Sequence, residues 1–240
     1  MSSVLAPIEN ILFEALQFFY GWVSDYGVAI VILTIAIRIA LFPLTQKQTK
    51  SMYEMQRIQP KIKELQNKYK NDKQKLQEET LKFYQENKVN PFGGCLPLLL
   101  QMPIFFALFR MLGSTGGDTG AFIQYLEGLP PAAAEAAKRF WIILPDLTQS
   151  PSQVFSADGL VGALPYIIFV ALFGLSIVVP QLLQPGEKQQ KTIGIYMGVL
   201  MLWFGWITPA GVLVYWVTQS LLQVAQQQLT IRYYKHQTTE

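Results

Sequence analysis

Ile30-Val-Ile-Leu-Thr-Ile-Ala-Ile-Arg-Ile-Ala-Leu-Phe42 is an almost unbroken apolar run with one arginine, Arg38, near its middle. A guanidinium stays protonated, and placing one at the centre of a membrane helix costs about 2.5 to 3.5 kcal/mol on insertion scales. Something must offset that cost. Thr34 lies one helical turn before the arginine, and Leu41 and Phe42 follow one turn after it, so the two polar residues mark one narrow face of an otherwise lipid-compatible helix. The apolar segment runs from Tyr26 to Leu44. At 1.5 Å per residue, Arg38 then sits about 18 Å from one end and about 9 Å from the other. The span alone leaves three readings open: an arginine snorkelling to the interface, one tied to a structural partner, or one facing a hydrated cavity.

Across 240 residues, 51% hydrophobic and 15% charged content with a positive mean hydropathy point to a polytopic membrane protein rather than a soluble domain. One cysteine, Cys95, excludes an internal disulfide, and one histidine, His236, excludes a histidine metal cluster. The net charge of +3 says little; orientation follows where Lys and Arg fall in short loops. The first basic residue is Arg38, so Met1 to Tyr26 lacks the charged start of a secretory signal.

Residues 1–25 carry apolar positions at three- and four-residue steps (Leu5, Ile8, Ile11/Leu12, Ala15/Leu16, Phe19 and Trp22/Val23), with Glu9 and Glu14 among the polar ones. This predicts an amphipathic helix, either in the outer membrane interface or packed on the bundle. Residues 26–45 form the first span. From 46 to 91 the sequence turns polar, and Lys47 to Lys88 hold eleven basic residues against six acids, which places the insert in the cytoplasm. Met52, Met55, Ile58, Ile62, Leu65 and Tyr69 form one apolar seam, Asn71-Asp72 a turn, and Leu76, Thr80, Phe83 and Tyr84 a returning seam, so a helical hairpin is expected. It is either a solvated spacer or a surface for a partner or lipid headgroups.

Asn90-Pro-Phe-Gly-Gly-Cys95 breaks the helix before a second span, 95–112, which contains Pro97, Pro103 and Gln101. Prolines and an amide at membrane depth are tolerated where neighbours or water satisfy the backbone. Residues 113–159 read as an irregular extracytoplasmic loop with five acids against Lys138 and Arg139. The third span is 160–183, and 184–191 is a short basic cytoplasmic turn. Thr208-Pro-Ala-Gly211 divides the next apolar block into a fourth span, 192–207, and a fifth, 210–230; the fourth is short enough to thin the bilayer locally. Residues 231–240 end in the cytoplasm. Five spans with the N-terminus outside agree with every charge cluster.

Several stretches together resemble the YidC/Oxa/Alb membrane protein insertases. They are the Arg38 span followed by Phe42-Pro-Leu-Thr, Ile58-Gln-Pro-Lys, Leu65-Gln-Asn-Lys-Tyr, Asn90-Pro-Phe-Gly-Gly-Cys-Leu-Pro-Leu-Leu-Leu-Gln-Met-Pro-Ile-Phe105, Trp141-Ile-Ile-Leu-Pro-Asp-Leu-Thr, Pro209-Ala-Gly-Val-Leu-Val-Tyr-Trp216 and Gln226-Gln227-Gln228. The likeness covers about Tyr20 to Tyr233 and is to the short, Gram-positive-like or cyanobacterial-like form. It implies an all-α polytopic membrane protein: five transmembrane helices around a cytoplasm-open hydrophilic groove, with the cytoplasmic hairpin and the N-terminal interfacial helix. Arg38 matches the groove arginine. Thr34, Gln101, Met102, Pro103, Phe105, Tyr215, Trp216 and Gln219 join it as the expected substrate path, in which water hydrates the charge and the arginine attracts acidic segments of a nascent protein.

The family's hairpin is implicated in recruiting substrate or targeting factors, which assigns contact roles to Lys61, Lys63, Lys68, Lys70, Lys73 and Lys75. The implied activity is insertion of nascent membrane proteins with short translocated tails, alone or with the Sec translocon, with no cofactor, metal or covalent step. The ribosome, the signal recognition machinery and the lipid bilayer complete the partners that the resemblance suggests, and no nucleic acid is bound directly. The tail holds only Arg232 and Lys235 beside His236, so ribosome docking through it is not expected. The implied location is the cell membrane, or a thylakoid-type membrane for a cyanobacterial form. A transporter using Arg38 as an anion site would show paired broken helices, and no second arginine-bearing span is read. A structural subunit of a larger complex is the third option.

Overall fold

The computed structural model describes residues 2–87, 89, 96–115, 118–183 and 188–237. Nine helices carry the fold among these residues: α1 (Ser2–Val23), α2 (Tyr26–Lys68), α3 (Lys73–Glu86), α4 (Leu96–Leu112), α5 (Ala121–Glu127), α6 (Pro131–Lys138), α7 (Pro151–Leu183), α8 (Lys188–Ile207) and α9 (Ala210–Gln237). Two-residue strands, β1 (Ser114–Thr115) and β2 (Asp118–Thr119), pair antiparallel. The chain divides into two compact units, Met1–Ala40 with Gln101–Val224 and Leu41–Leu100 with Ala225–Glu240.

In the first unit the core takes one stripe each of α2, α4 and α7 and the whole start of α9. Ala29, Ile30 and Leu33 come from α2, Ala107, Leu108, Met111 and Leu112 from α4, Ala163 and Tyr166 from α7, and Val212, Val214 and Tyr215 from α9. The opposite stripes are also apolar: Ile35 and Ile39 on α2, Val161 and Leu164 on α7, and Val199 and Trp203 on α8 are exposed. A soluble bundle covers that side with charge; a bundle in lipid has no need to. Among the described residues Tyr26–Met55 and Pro151–Val179 are long and apolar enough to cross a membrane, and Gln101–Leu112 and Gly194–Ile207 are shorter apolar segments. Glycines bring α7 and α8 together, since a Cβ at Gly174 would lie 2.4 Å from Leu202 and one at Gly198 2.1 Å from Val178.

The structure changes several expectations. α1 is helical as expected, but Glu9 is buried, while Ile11, Phe18 and Trp22 form an exposed apolar face and Leu12 and Leu16 pack inward. The helix therefore packs on the bundle with one face and offers another apolar face outward. The region 113–159 is not irregular: it holds β1, β2, α5 and α6, and α7 already starts at Pro151. α7 kinks at Gly159, whose φ of +68° suits a residue without a Cβ. α8 starts at Lys188, inside the expected basic turn, although its apolar stretch still begins at Gly194. The break at Thr208–Pro209 between α8 and α9 is where the sequence put it.

In the second unit α2 runs on past Pro43 and Pro60 to Lys68, with no break at the expected end of the first span. The Thr45 hydroxyl reinforces the turn after Pro43 by donating to the carbonyls of Leu41 and Phe42, at 3.1 and 3.0 Å. The hairpin then turns through Tyr69–Asp72, and the Asp72 carboxylate caps α3 by accepting the Lys75 N–H at 3.0 Å. Ile58, Ile62 and Val89 form its core, covered by Met55, Phe83 and Tyr84, as the two seams require. Burial pushes the Tyr84 phenol above its usual range. The Asn90–Cys95 break and the side chain of His236 lie outside the described residues.

Gly27 tests the packing of the first unit, because a Cβ there would stand 2.1 Å from the Phe140 ring. Gly27→Ala should cost about 1 to 3 kcal/mol through overpacking. Gly21→Ala, where nothing lies within 4 Å, should instead stabilise helix α1 by about 0.5 to 1 kcal/mol. Thermal melts of the two variants in detergent check both signs.

Candidate functional site

Arg38 is 9% exposed and points from α2 onto α9. Its Nε donates to Gln219 Oε1 at 2.8 Å, and its Nη2 donates to the Gln219 carbonyl at 3.0 Å and to Gln223 Oε1 at 3.1 Å. Gln219 and Gln223 stand one turn apart on α9, so a planar fork with several donors spans both, which a single ammonium could not do. A carbonyl oxygen has two lone pairs, so Gln219 can accept the arginine without giving up its helical bond.

The network continues away from the charge. Gln219 Nε2 donates to Gln101 Oε1 at 2.6 Å, and Gln101 Nε2 bonds the Tyr215 hydroxyl. Tyr215 is fully buried one turn before Gln219, so α2, α4 and α9 are joined by a chain of guanidinium, amide, amide and phenol. Among the described residues Arg38 forms no ion pair. Neutral dipoles accept from its Nε and Nη2 and leave its charge uncancelled.

Of the residues expected along the substrate path, the structure brings Arg38, Gln101, Tyr215 and Gln219 into one network. Thr34 is buried but donates to the Ile30 carbonyl of its own helix at 2.6 Å, so it satisfies itself rather than supporting the arginine. Phe105 and Trp216 pack edge to face with centroids 5.3 Å apart, and Trp216 meets Phe173 likewise at 5.3 Å; both aromatics belong to the packed core. Met102 and Pro103 lie on the exposed side of α4. The reason is helical phase: on α4, positions 102 and 103 point away from the stripe that carries Gln101, Phe105 and Leu108.

Sequence reading missed two partners. Gln223 completes a stripe Tyr215, Gln219, Gln223 at four-residue steps along α9, a signal present in the sequence. Arg110, in the last turn of α4, approaches the buried Glu9 of α1 to 3.5 Å, so Arg38 is not the sole arginine on an apolar helix. In the second unit, Gln226 donates to Thr45 Oγ1 at 2.7 Å. The six hairpin lysines are all exposed, with the ammonium groups of Lys68 and Lys75 5.2 and 5.6 Å from the Tyr69 ring centroid.

Residues 18–238 match the family described as 60Kd inner membrane protein. The chain belongs to this family. Among its relatives, the membrane protein insertase YidC of Caldanaerobacter subterraneus subsp. tengcongensis is 36% identical over 231 residues, covering 95% of this chain and 96% of that protein. The membrane protein insertase YidC of Syntrophobacter fumaroxidans is 36% identical over 223 residues, which is 92% of this chain but 37% of that longer protein. This 60Kd-family chain thus spans just over a third of the length of some relatives. A crystal structure of an active YidC insertase with its first transmembrane domain resolved aligns with a TM-score of 0.66 at 29% identity, covering 90% of this chain and 45% of that one. The helical architecture is therefore that of the family.

The network predicts a coupling energy. A double-mutant cycle of Arg38→Met with Gln219→Leu should give about 1.5 to 3 kcal/mol, the range for hydrogen bonds to a charged group. The neutral pair Gln101→Leu with Tyr215→Phe should give only about 0.6 kcal/mol. Unfolding in mixed micelles measures both cycles, and equal couplings would mean that the charge adds nothing.

Proposed function

We propose that the chain is a membrane protein insertase, which receives hydrophobic segments of nascent proteins from the cytoplasm and releases them into the bilayer. The observation that carries this is Arg38: a cation in an apolar helix, held by amides, with its charge uncancelled. Such a site attracts a short acidic, hydrophilic tail partway into the membrane, while the exposed apolar faces of the helices let the following segment partition into lipid. No bond is made or broken in this cycle. Family membership and the names of the relatives support the reading.

In this reading α2, α4, α7, α8 and α9 provide the five spans, with α1 and the region 113–159 on the outer side and the hairpin and tail in the cytoplasm. The groove opens to the cytoplasm and sideways to lipid, and stays closed outside. The amides offset most of the desolvation of Arg38, so bulk water is needed only at the edge of the guanidinium. Met102 and Pro103 meet the substrate at the lipid-facing lip, while Phe105 and Trp216 stiffen the wall behind it. The substrates are nascent membrane proteins with short translocated tails, handled alone or beside the Sec translocon in the cell membrane. The lysines of the hairpin recruit ribosome-bound chains or targeting factors by charge.

Complementation decides the function: expressed in cells depleted of their own insertase, the chain should restore membrane insertion of a small phage-coat-like protein. No rescue by a folded, membrane-located chain would sink the reading. Replacing Lys61, Lys63, Lys68, Lys70, Lys73 and Lys75 by glutamine should lower that rescue severalfold while helical content stays the same; full rescue would remove the recruiting role of the hairpin.

A further inference from the structure

The stretch Phe140–Leu144 closes on itself, with the Phe140 N–H donating to the Leu144 carbonyl at 2.9 Å and the Ile143 and Leu144 N–H groups donating back to Phe140. Its tip carries three consecutive large apolar residues, all exposed: Trp141 at 73%, Ile142 at 93% and Ile143. Trp141 is held at φ +49°, a left-handed conformation that a bulky residue adopts only when its surroundings impose it.

The constraint is visible. The Trp141 N–H donates to Asp25 Oδ2 at 2.7 Å, while Asp25 Oδ1 accepts the Val28 N–H at 2.9 Å in the first turn of α2. The Phe140 ring lies directly on the backbone of Gly27. One carboxylate thus starts the span that carries Arg38 and also fixes the loop against that start. Farther along, the Leu147 and Gln149 carbonyls accept the N–H groups of Gly211 and Ala210 at 2.8 and 2.9 Å, which clamps the same segment to the beginning of α9. A rigid, strained turn that spends its apolar side chains on water has no purpose within the monomer.

We propose that the tip Trp141-Ile142-Ile143 is a lipid anchor that inserts among the headgroups and upper acyl chains of the outer leaflet and sets the depth of α2. It rests on the reading that α2 spans the membrane. Three observations favour lipid over a protein partner. The tip is fastened to the first turn of an apolar helix whose exposed side chains, Ile35 and Ile39, also face outward. The exposed Phe18 and Trp22, whose rings lie 5.1 Å apart, add a second exposed apolar face on α1, the helix that precedes Asp25 in sequence. The exposed Arg139 precedes the tip, and an indole, two isoleucines and a guanidinium together match the order phosphate, headgroup boundary, acyl chain. Through Asp25 and Gly27 the loop then acts as a depth stop: it fixes where α2 begins and hence how far below the surface Arg38 lies.

The test uses the full chain with Cys95 replaced by serine, Ile142→Cys labelled with an environment-sensitive fluorophore, and phosphatidylethanolamine–phosphatidylglycerol vesicles. On reconstitution the emission should shift to the blue. A nitroxide near the headgroup should quench it more strongly than one at the acyl terminus, and aqueous iodide should not quench it. Glu127→Cys on α5 should keep its iodide quenching, and adding Asp25→Ala to the Ile142 label should reduce the headgroup-nitroxide quenching. Iodide quenching without lipid quenching would overturn the proposal in favour of a water-exposed loop. A blue shift with neither kind of quenching would overturn it in favour of a second copy of the chain. None of these readouts uses insertion activity, so an anchored chain that fails to complement would sink the insertase reading alone.

Discussion

A guanidinium inside an apolar helix must find acceptors, and Nε and Nη2 of Arg38 find theirs on Gln219 and Gln223 of α9. This demand organises the first unit. It pairs α2 with α9, and through Gln101 and Tyr215 it draws α4 into the same polar chain. The starts of α2 and α9 are both held by the segment 140–149, from Asp25 and Gly27 on one side and from Ala210 and Gly211 on the other. A change of register in either helix would strand a charged group at a cost of several kcal/mol, far more than any single packing contact contributes.

The kind of partner is as informative as its presence. A carboxylate opposite Arg38 would form a buried ion pair, which contributes little net stability and would cancel the charge. Amides and a main-chain carbonyl accept from Nε and Nη2 and leave the field of the cation in place. Glu9 and Arg110 show the other solution in the same unit: a buried acid meets an arginine at 3.5 Å, joining α1 to α4. One arginine is neutralised to hold helices together, and the other is kept charged.

Much of the fold was legible because apolar periodicity is imposed by burial and survives in sequence. The hairpin seams, the α8–α9 turn at Thr208–Pro209 and the helical α1 all follow from it. Helix ends were not legible where local signals compete with tertiary ones: Pro43 looks like a stop, yet α2 continues through it, and the irregular pattern of 113–159 hid two short helices and the early start of α7. At the site, Arg38, Gln101, Tyr215 and Gln219 could be picked out as polar groups in apolar helices. Residue type alone could not separate the aromatic side chains that pack, Phe105 and Trp216, from the side chains that face outward, Met102 and Pro103, because both sets are apolar and only the phase of each helix divides them. Gln223 lies on the same four-residue step as Tyr215 and Gln219, one turn further along α9.

On the proposed function, the uncancelled charge of Arg38 draws acidic tails into the membrane. Purified chain in proteoliposomes, given a series of substrates that share one hydrophobic segment and differ only in the number of acidic residues in the translocated tail, measures it directly. Insertion should rise with tail acidity in the native chain, Arg38→Lys should keep much of that slope, and Arg38→Met should flatten it while still inserting the neutral-tailed substrate. An unchanged slope in Arg38→Met, or equal loss for every tail, would contradict it and make the arginine a scaffold for α2 and α9 alone.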